Sequence, residues 1–164
     1  MYFSTPRCLI RDFRIEDIAT VMTYRNDLEW MKYQGFKNLE KAAYIKELLH
    51  PKSFSEGKNI AVVHTLDDRL IGDIYLKKEA DFFWIGYTIH PQESQKGYGS
   101  EVVQATVQWL FDQGVQSVKA GVSSENLASI KLLEKLNFSL VKTEEDACYQ
   151  LQRLDYLQQK NRIK

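Results

Sequence analysis

Two glycines with one residue between them, Gly97 and Gly99, stand between a stretch that reads as a strand, 82–90, and one that reads as a helix, 100–112. Glycine lets the backbone turn tightly and come close to a ligand without a Cβ in the way, so consecutive N–H groups can point at one anion. The helix that follows adds partial positive charge at the same place. Gln95 and Lys96 before the glycines, Tyr98 between them and Ser100 after them complete a loop suited to a phosphate. Spacing excludes two familiar phosphate loops: the dinucleotide fingerprint needs a third glycine where Val102 stands, and the P-loop needs Gly-Lys-Ser/Thr. A second polar cluster, Ser123-Ser124-Glu125-Asn126-Leu127-Ala128-Ser129, precedes apolar residues at helical spacing. Asn126 is a good helix N-cap, and Ser129 falls one turn later on the same face, where its hydroxyl could bind a ligand or pass a proton to a leaving group. Capping alone would also account for Asn126, and packing alone for Ser129.

The elements that must position these residues alternate along the chain. Residues 8–13 read as a strand and 15–26 as a helix with Glu16 and Asp17 in its first turn. Residues 27–38 are irregular and aromatic, with Trp30, Tyr33 and Phe36, and 39–50 is a helix stopped at Pro51. A hairpin is expected from 60–65 and 70–77 around Asp67-Asp68. The strand at 82–90 carries apolar bulk on both faces and reads as central. After the helix at 100–112, closed by Gly114, come a strand at 115–122, a helix at 126–136, and a hairpin of 138–143 and 147–154 around Glu144-Glu145-Asp146. The polar stretch 155–164 is expected to fray.

A chain of 164 residues that is 44% hydrophobic and 12% aromatic makes one globular domain, expected over 7–154. Its 22 basic and 22 acidic residues balance, so no global field favours nucleic acid or an anionic membrane. The N-terminus lacks a charged leader with a long apolar run, and the expected location is the cytoplasm, as monomer or homodimer. Cys8 and Cys148 are isolated, His50, His64 and His90 are scattered, and neither set has metal-ligand spacing, so no metal is expected.

In the register Ser94-Gln95-Lys96-Gly97-Tyr98-Gly99 the loop resembles the coenzyme A pyrophosphate loop of the GNAT N-acetyltransferases, whose pattern is Gln/Arg-x-x-Gly-x-Gly/Ala. Residues 122–138, with Asn126, Ser129, Glu134-Lys135 and Phe138, resemble the second GNAT motif, in the correct order and separation. The run Glu125-Asn126-x-x-Ser129-Ile130 and the preceding Ile85-Gly86-Tyr87-x-Ile89-x-Pro91 most resemble the branch that holds the ribosomal-protein N-terminal acetyltransferases. The resemblance spans about residues 7 to 154. It implies an α/β fold with a single mixed, mostly antiparallel central sheet flanked by helices, acetyl-CoA as donor, and direct transfer to a primary amine. It also implies that Tyr87, Thr88 and Ile89 lie along the cofactor, that Gln95 to Ser100 hold its pyrophosphate, and that Asn126 and Ser129 contact the cofactor or the reacting groups.

Three departures bear on chemistry. Ser94 replaces the opening Gln/Arg of the loop, Leu133 stands where many members carry a tyrosine general acid, and Trp84 stands where others carry a carboxylate. Asn137 for the usual glycine is structural, since asparagine tolerates a left-handed C′ position. Tyr149 and Tyr98 remain as acid candidates by chemistry alone. An α-amine with pKa about 7.7–8.0 is roughly a tenth neutral at pH 7, against about 0.04% for a lysine amine near 10.4. A site without an obvious base therefore suits a peptide or protein N-terminus, or a small amine of low pKa, received between the Trp30-to-Phe36 segment, with Tyr33, and Trp84. The alternatives are an aminoglycoside or polyamine acetyltransferase, which needs acidic residues lining the acceptor cleft and has Asp27, Glu29, Asp73 and Asp81 as candidates, and a non-catalytic coenzyme A-binding module.

Overall fold

The computed structural model describes residues 1–143 and 146–163; the Glu144-Glu145 turn expected in the last hairpin lies outside the described residues. Among the described residues, the strands are β1 (Phe3–Ser4), β2 (Cys8–Arg11), β3 (Lys58–His64), β4 (Leu70–Glu79), β5 (Phe82–Ile89), β6 (Ser117–Ser123), β7 (Ser139–Thr143) and β8 (Asp146–Gln152). They form one sheet in chain order, except that β8 lies between β6 and β7. The helices are α1 (Ile18–Arg25), α2 (Lys41–Leu49), α3 (Tyr98–Asp112), α4 (Leu127–Lys135) and α5 (Arg153–Ile163). Every strand pair is antiparallel except β5 with β6, which are joined by the α3 crossover that a parallel pair requires. This is the mixed, mostly antiparallel sheet expected.

Strand alternation sends two sets of side chains to opposite faces. On one face Ile74, Leu76, Phe83, Ile85 and Val118 pack with Val103, Val107 and Leu110 of α3 and Leu133 of α4. On the other, Ala61 and Val63 pack with Ile18, Val21 and Tyr24 of α1 and Tyr44 and Leu48 of α2. The sheet is thus sandwiched between two helix pairs.

The feature that makes room for a site is the pairing of β5 with β6. It is confined to Phe82 with Ser117, Phe83 with Val118 and Trp84 with Lys119. Beyond Trp84 the strands part: β5 stays paired with β4 out to Ile89, and β6 continues with β8 out to Ser123. Along Ile85 to Ile89 one edge of β5 therefore has no strand beside it among the described residues.

Several elements differ from the sequence expectation, among them the unexpected β1. The first helix opens with a 3-10 turn, Ile15–Asp17, in which the Asp17 carboxylate accepts from the Arg14 N–H at 2.8 Å. Helix α3 begins at Tyr98, because Gly97 takes a left-handed N-cap conformation. The polar stretch from Asp155 continues as α5, held where the Arg153 N–H donates to the Gln116 carbonyl at 2.8 Å and the Tyr156 ring lies 5.0 Å from Phe111. Cys8 is fully buried, which pushes its thiol up to about 11 and leaves it unreactive. No helix among the described residues is long and apolar enough to cross a membrane.

Candidate functional site

Where β5 and β6 part, a cavity of about 830 Å³ opens. Its floor is Tyr87, Thr88 and Ile89, one wall is the loop from Ser94 to Ser100, and the other is Asn126, Ala128, Ser129 and Leu132 of α4 and its cap. The volume lies within the roughly 300–1,000 Å³ of small-molecule and cofactor sites.

The loop is shaped as an anion cradle. Gln95 at φ 60° and Gly97 at φ 84° are both left-handed, the backbone type from which anion-binding nests are built. No side chain caps α3, so the first-turn N–H groups of Tyr98, Gly99 and Ser100 are left for a ligand. A Cβ on Gly99 would come within 3.2 Å of Leu132, so glycine there lets the helix start close to α4. Arg7 buttresses the loop from behind: Nη1 donates to the Lys96 carbonyl at 2.9 Å and Nε to Glu101 at 2.8 Å, while the guanidinium lies 4.0 Å from the Tyr98 ring centre. Burial works against ionising Glu101, but hydrogen bonds from Thr5 and Arg7 outweigh it and hold the carboxyl below its ordinary value. Across the cavity, Lys131 and Lys135 sit one turn apart on α4, exposed and without an ion-pair partner among the described residues.

At the opposite end the polar groups converge. The Asn126 side chain accepts from the Ser129 N–H at 3.3 Å, so it does cap α4, with its amide NH₂ left over. The Ser129 hydroxyl lies 2.6 Å from the Tyr87 hydroxyl. Burial raises the Tyr87 phenol above its ordinary value, and the Ser129 hydrogen bond offsets part of that. The irregular segment after α1 straps over this end: Trp30 Nε1–H donates to the Ile89 carbonyl at 2.9 Å, and the Tyr33 hydroxyl donates to the Glu125 carbonyl at 3.3 Å.

A second cavity, of about 420 Å³, opens on the α1–α2 face and shares Gln34, Tyr87 and Thr88 with the first. Three carboxylates line it, and each already has a partner. Asp73 accepts from Arg25 Nη2 at 2.6 Å, from Asn59 at 3.0 Å and from the Tyr24 hydroxyl. Glu47 pairs with Lys52 at 2.6 Å, and Glu56 accepts from the Ser53 N–H at 2.7 Å. The Gln34 amide and Tyr75 hydroxyl face no hydrogen-bond partner among the described residues.

The structure thus gathers Tyr87, Thr88, Ile89, Gln95, Gly97, Tyr98, Gly99, Ser100, Asn126, Ser129, Trp30 and Tyr33 around one cavity; Lys96 belongs to the same loop but not to the cavity wall. Two expected residues stand elsewhere. Trp84 is at the closed, paired end of β5, against Phe82 and Lys119, and lines neither cavity. Tyr149 faces the core, 6% exposed, because its position on β8 turns it inward, and it too lines neither cavity. Leu133, at the place of the family's tyrosine, is fully buried. Trp30 and Tyr33 line the larger cavity and not the second one, and Trp84 stands apart from both. Sequence reasoning missed the Tyr87 side chain, Lys131 and Lys135, and the Arg25–Asp73 network. The signals were Tyr87 in the Gly-Tyr pair and the i, i+4 lysines on the amphipathic α4.

A sheet splayed beside an uncapped helix N-terminus, with a cleft on each side of one strand, leaves room for two ligands to meet at that strand. The profile of the family described as an acetyltransferase (GNAT) domain matches residues 7–139. The uncharacterized N-acetyltransferase YnaD of Bacillus subtilis is 29% identical over 141 residues, covering 83% of this chain and 81% of its own. A GNAT-family acetyltransferase from Bacillus anthracis superposes with a TM-score of 0.81 at 23% identity over 94% of this chain and 99% of that one. The spermidine N-acetyltransferase of Vibrio cholerae, solved with CoA and spermine, superposes at 0.73 with 15% identity over 92% and 98%. The chain belongs to the GNAT acetyltransferase family and is an acetyl-CoA-dependent acetyltransferase.

Proposed function

We propose that this enzyme acetylates the α-amino group of a peptide or protein N-terminus. The donor's pyrophosphate rests on the N–H groups of residues 98–100, with Lys131 and Lys135 meeting its outer phosphate. The pantetheine arm runs along the free edge of β5, where it replaces the missing strand. Thr88 and Tyr87 border both cavities. The acceptor amine therefore reaches the thioester carbonyl from the smaller one.

The single observation that carries the acceptor class is that Asp73, Glu47 and Glu56 are all engaged. None is left as a strong general base, and none is free to receive the second charge of a polyamine. An amine already neutral to about a tenth at pH 7 meets that condition far better than one of pKa about 10.4. Positioning supplies the remainder, through the near-attack geometry of two ligands held across one strand. Thiol release from acetyl-CoA tests the reading with free-N-terminus peptides, blocked peptides containing lysine, polyamines and aminoglycosides. Turnover confined to the first class is the expected result; turnover confined to polyamines or lysine overturns it.

A further inference from the structure

With Leu133 in the core, Tyr149 turned away and the buried Tyr98 ring packed against Arg7 in the 94–100 loop, the proton that must reach the leaving sulfur needs another source. We propose that Tyr87 and Ser129 form a two-hydroxyl proton relay, in which Ser129 meets the coenzyme A sulfur and Tyr87 orients and recharges it. The inference rests on the acetyl-transfer reading above. Three observations carry it. The two hydroxyls are 2.6 Å apart, closer than most neutral O–H pairs. Both residues line the larger cavity, and Tyr87 alone of the two also lines the smaller one. Ser129 sits on the first turn of α4, whose cap by Asn126 fixes its backbone and leaves its hydroxyl for Tyr87.

The step balances without another reactant. The amine lone pair forms the N–C bond at the thioester carbonyl, and the C–S bond breaks with its electron pair on sulfur. Sulfur takes the proton of Ser129, whose oxygen takes that of Tyr87. The proton lost by the acylated nitrogen returns through water of the smaller cavity to the Tyr87 oxygen. The products are an amide and a free thiol, with both hydroxyls restored. Burial favours this direction of use, since it keeps the phenol protonated and ready to donate. Tyr87 is a positioning residue in this scheme, because it acts through Ser129.

The test compares Tyr87→Phe, Ser129→Ala and the double variant with the parent enzyme. Tyr87→Phe should lower kcat about a hundredfold, with the KM for acetyl-CoA changed less than about threefold. Ser129→Ala should do the same, and the double variant should be no worse than either single one, as expected of groups acting as a unit. The thiolate absorbance of bound coenzyme A gives a readout independent of turnover. Its titration should move to higher pH in both single variants, because Ser129→Ala removes the donor to the thiolate and Tyr87→Phe removes the group that orients and polarises that donor. A merely structural Tyr87 would leave that titration in place. Parental kcat in Tyr87→Phe, fully multiplicative losses in the double variant, or an unmoved thiol titration each overturns the relay. Failure of the acetyl-transfer reading is distinguishable, since the parent enzyme itself would then show no thiol release.

Discussion

Gly97→Val tests the cradle at its most constrained point. Gly97 has φ 84° and ψ 4°, and an added Cβ would find Arg7 Nη2 at 3.5 Å, an ordinary contact. Room is therefore not the obstacle; conformation is. A β-branched residue held in the left-handed region loses about 1–2 kcal/mol. If the loop resists, that loss appears as stability; if it yields, the N–H groups of residues 98–100 turn away from the phosphate. Losing even one charge-assisted hydrogen bond removes about 1.5–3 kcal/mol, so coenzyme A affinity should fall by more than tenfold, or about 1.4 kcal/mol. Calorimetric titration with coenzyme A measures this, alongside thermal melting. Acetyl-pantetheine, which has no pyrophosphate, should keep its kcat/KM in the variant while acetyl-CoA loses most of its advantage. Gly97→Asn should do less harm, since asparagine tolerates the left-handed region. Unchanged coenzyme A affinity in a folded Gly97→Val protein would refute the cradle.

Other expectations concern the walls of the site. Asp73→Ala strands the buried Arg25 guanidinium and should cost about 3–5 kcal/mol in denaturant unfolding. Trp30→Ala frees the Ile89 carbonyl and opens the strap, so steady-state kinetics should show a raised KM for acetyl-CoA with the acceptor KM little changed. Lys131→Ala with Lys135→Ala should weaken coenzyme A binding and flatten its dependence on salt, read by titration at two ionic strengths. Glu101, held below its ordinary 4.5, contributes stability that is complete above that value and lost as pH falls through its folded pKa. Glu101→Gln should therefore lower the melting temperature at neutral pH and reduce the loss seen on acidification.

The parts of this site that were legible in the sequence are local. Gly97, Gly99 and the Asn126 cap announce themselves because a left-handed turn and a helix start need those residue types within a few positions. Residues brought together by the parting of β5 and β6 had no such signature. Trp84 and Tyr87 are three residues apart, yet one lies in the paired half of the strand and the other in the free half, roughly 10 Å away at about 3.3 Å per residue. Where a strand loses its partner is a property of the sheet, and nothing in residues 82–89 marks it. Tyr149 shows the same limit. Its chemistry suits an acid, but register on β8 decides whether it faces ligand or core, and register is set by the pairing with Ala120 and Leu140. The strap from Trp30 to Tyr33 has no periodicity at all, so its hydrogen bonds to Ile89 and Glu125 were out of reach.

The parting of β5 from β6 has a thermodynamic side. An interior strand edge is exposed backbone in the middle of a sheet, the kind of edge that proteins otherwise hide from neighbouring chains. A donor lying along it, as proposed above, would close the sheet, and its binding energy would enter folding stability directly. At a free concentration a hundred times its Kd, such a ligand adds about 2.7 kcal/mol, a large share of what holds a domain of this size together. The small unfolded fraction open to proteolysis would then shrink as acetyl-CoA rises.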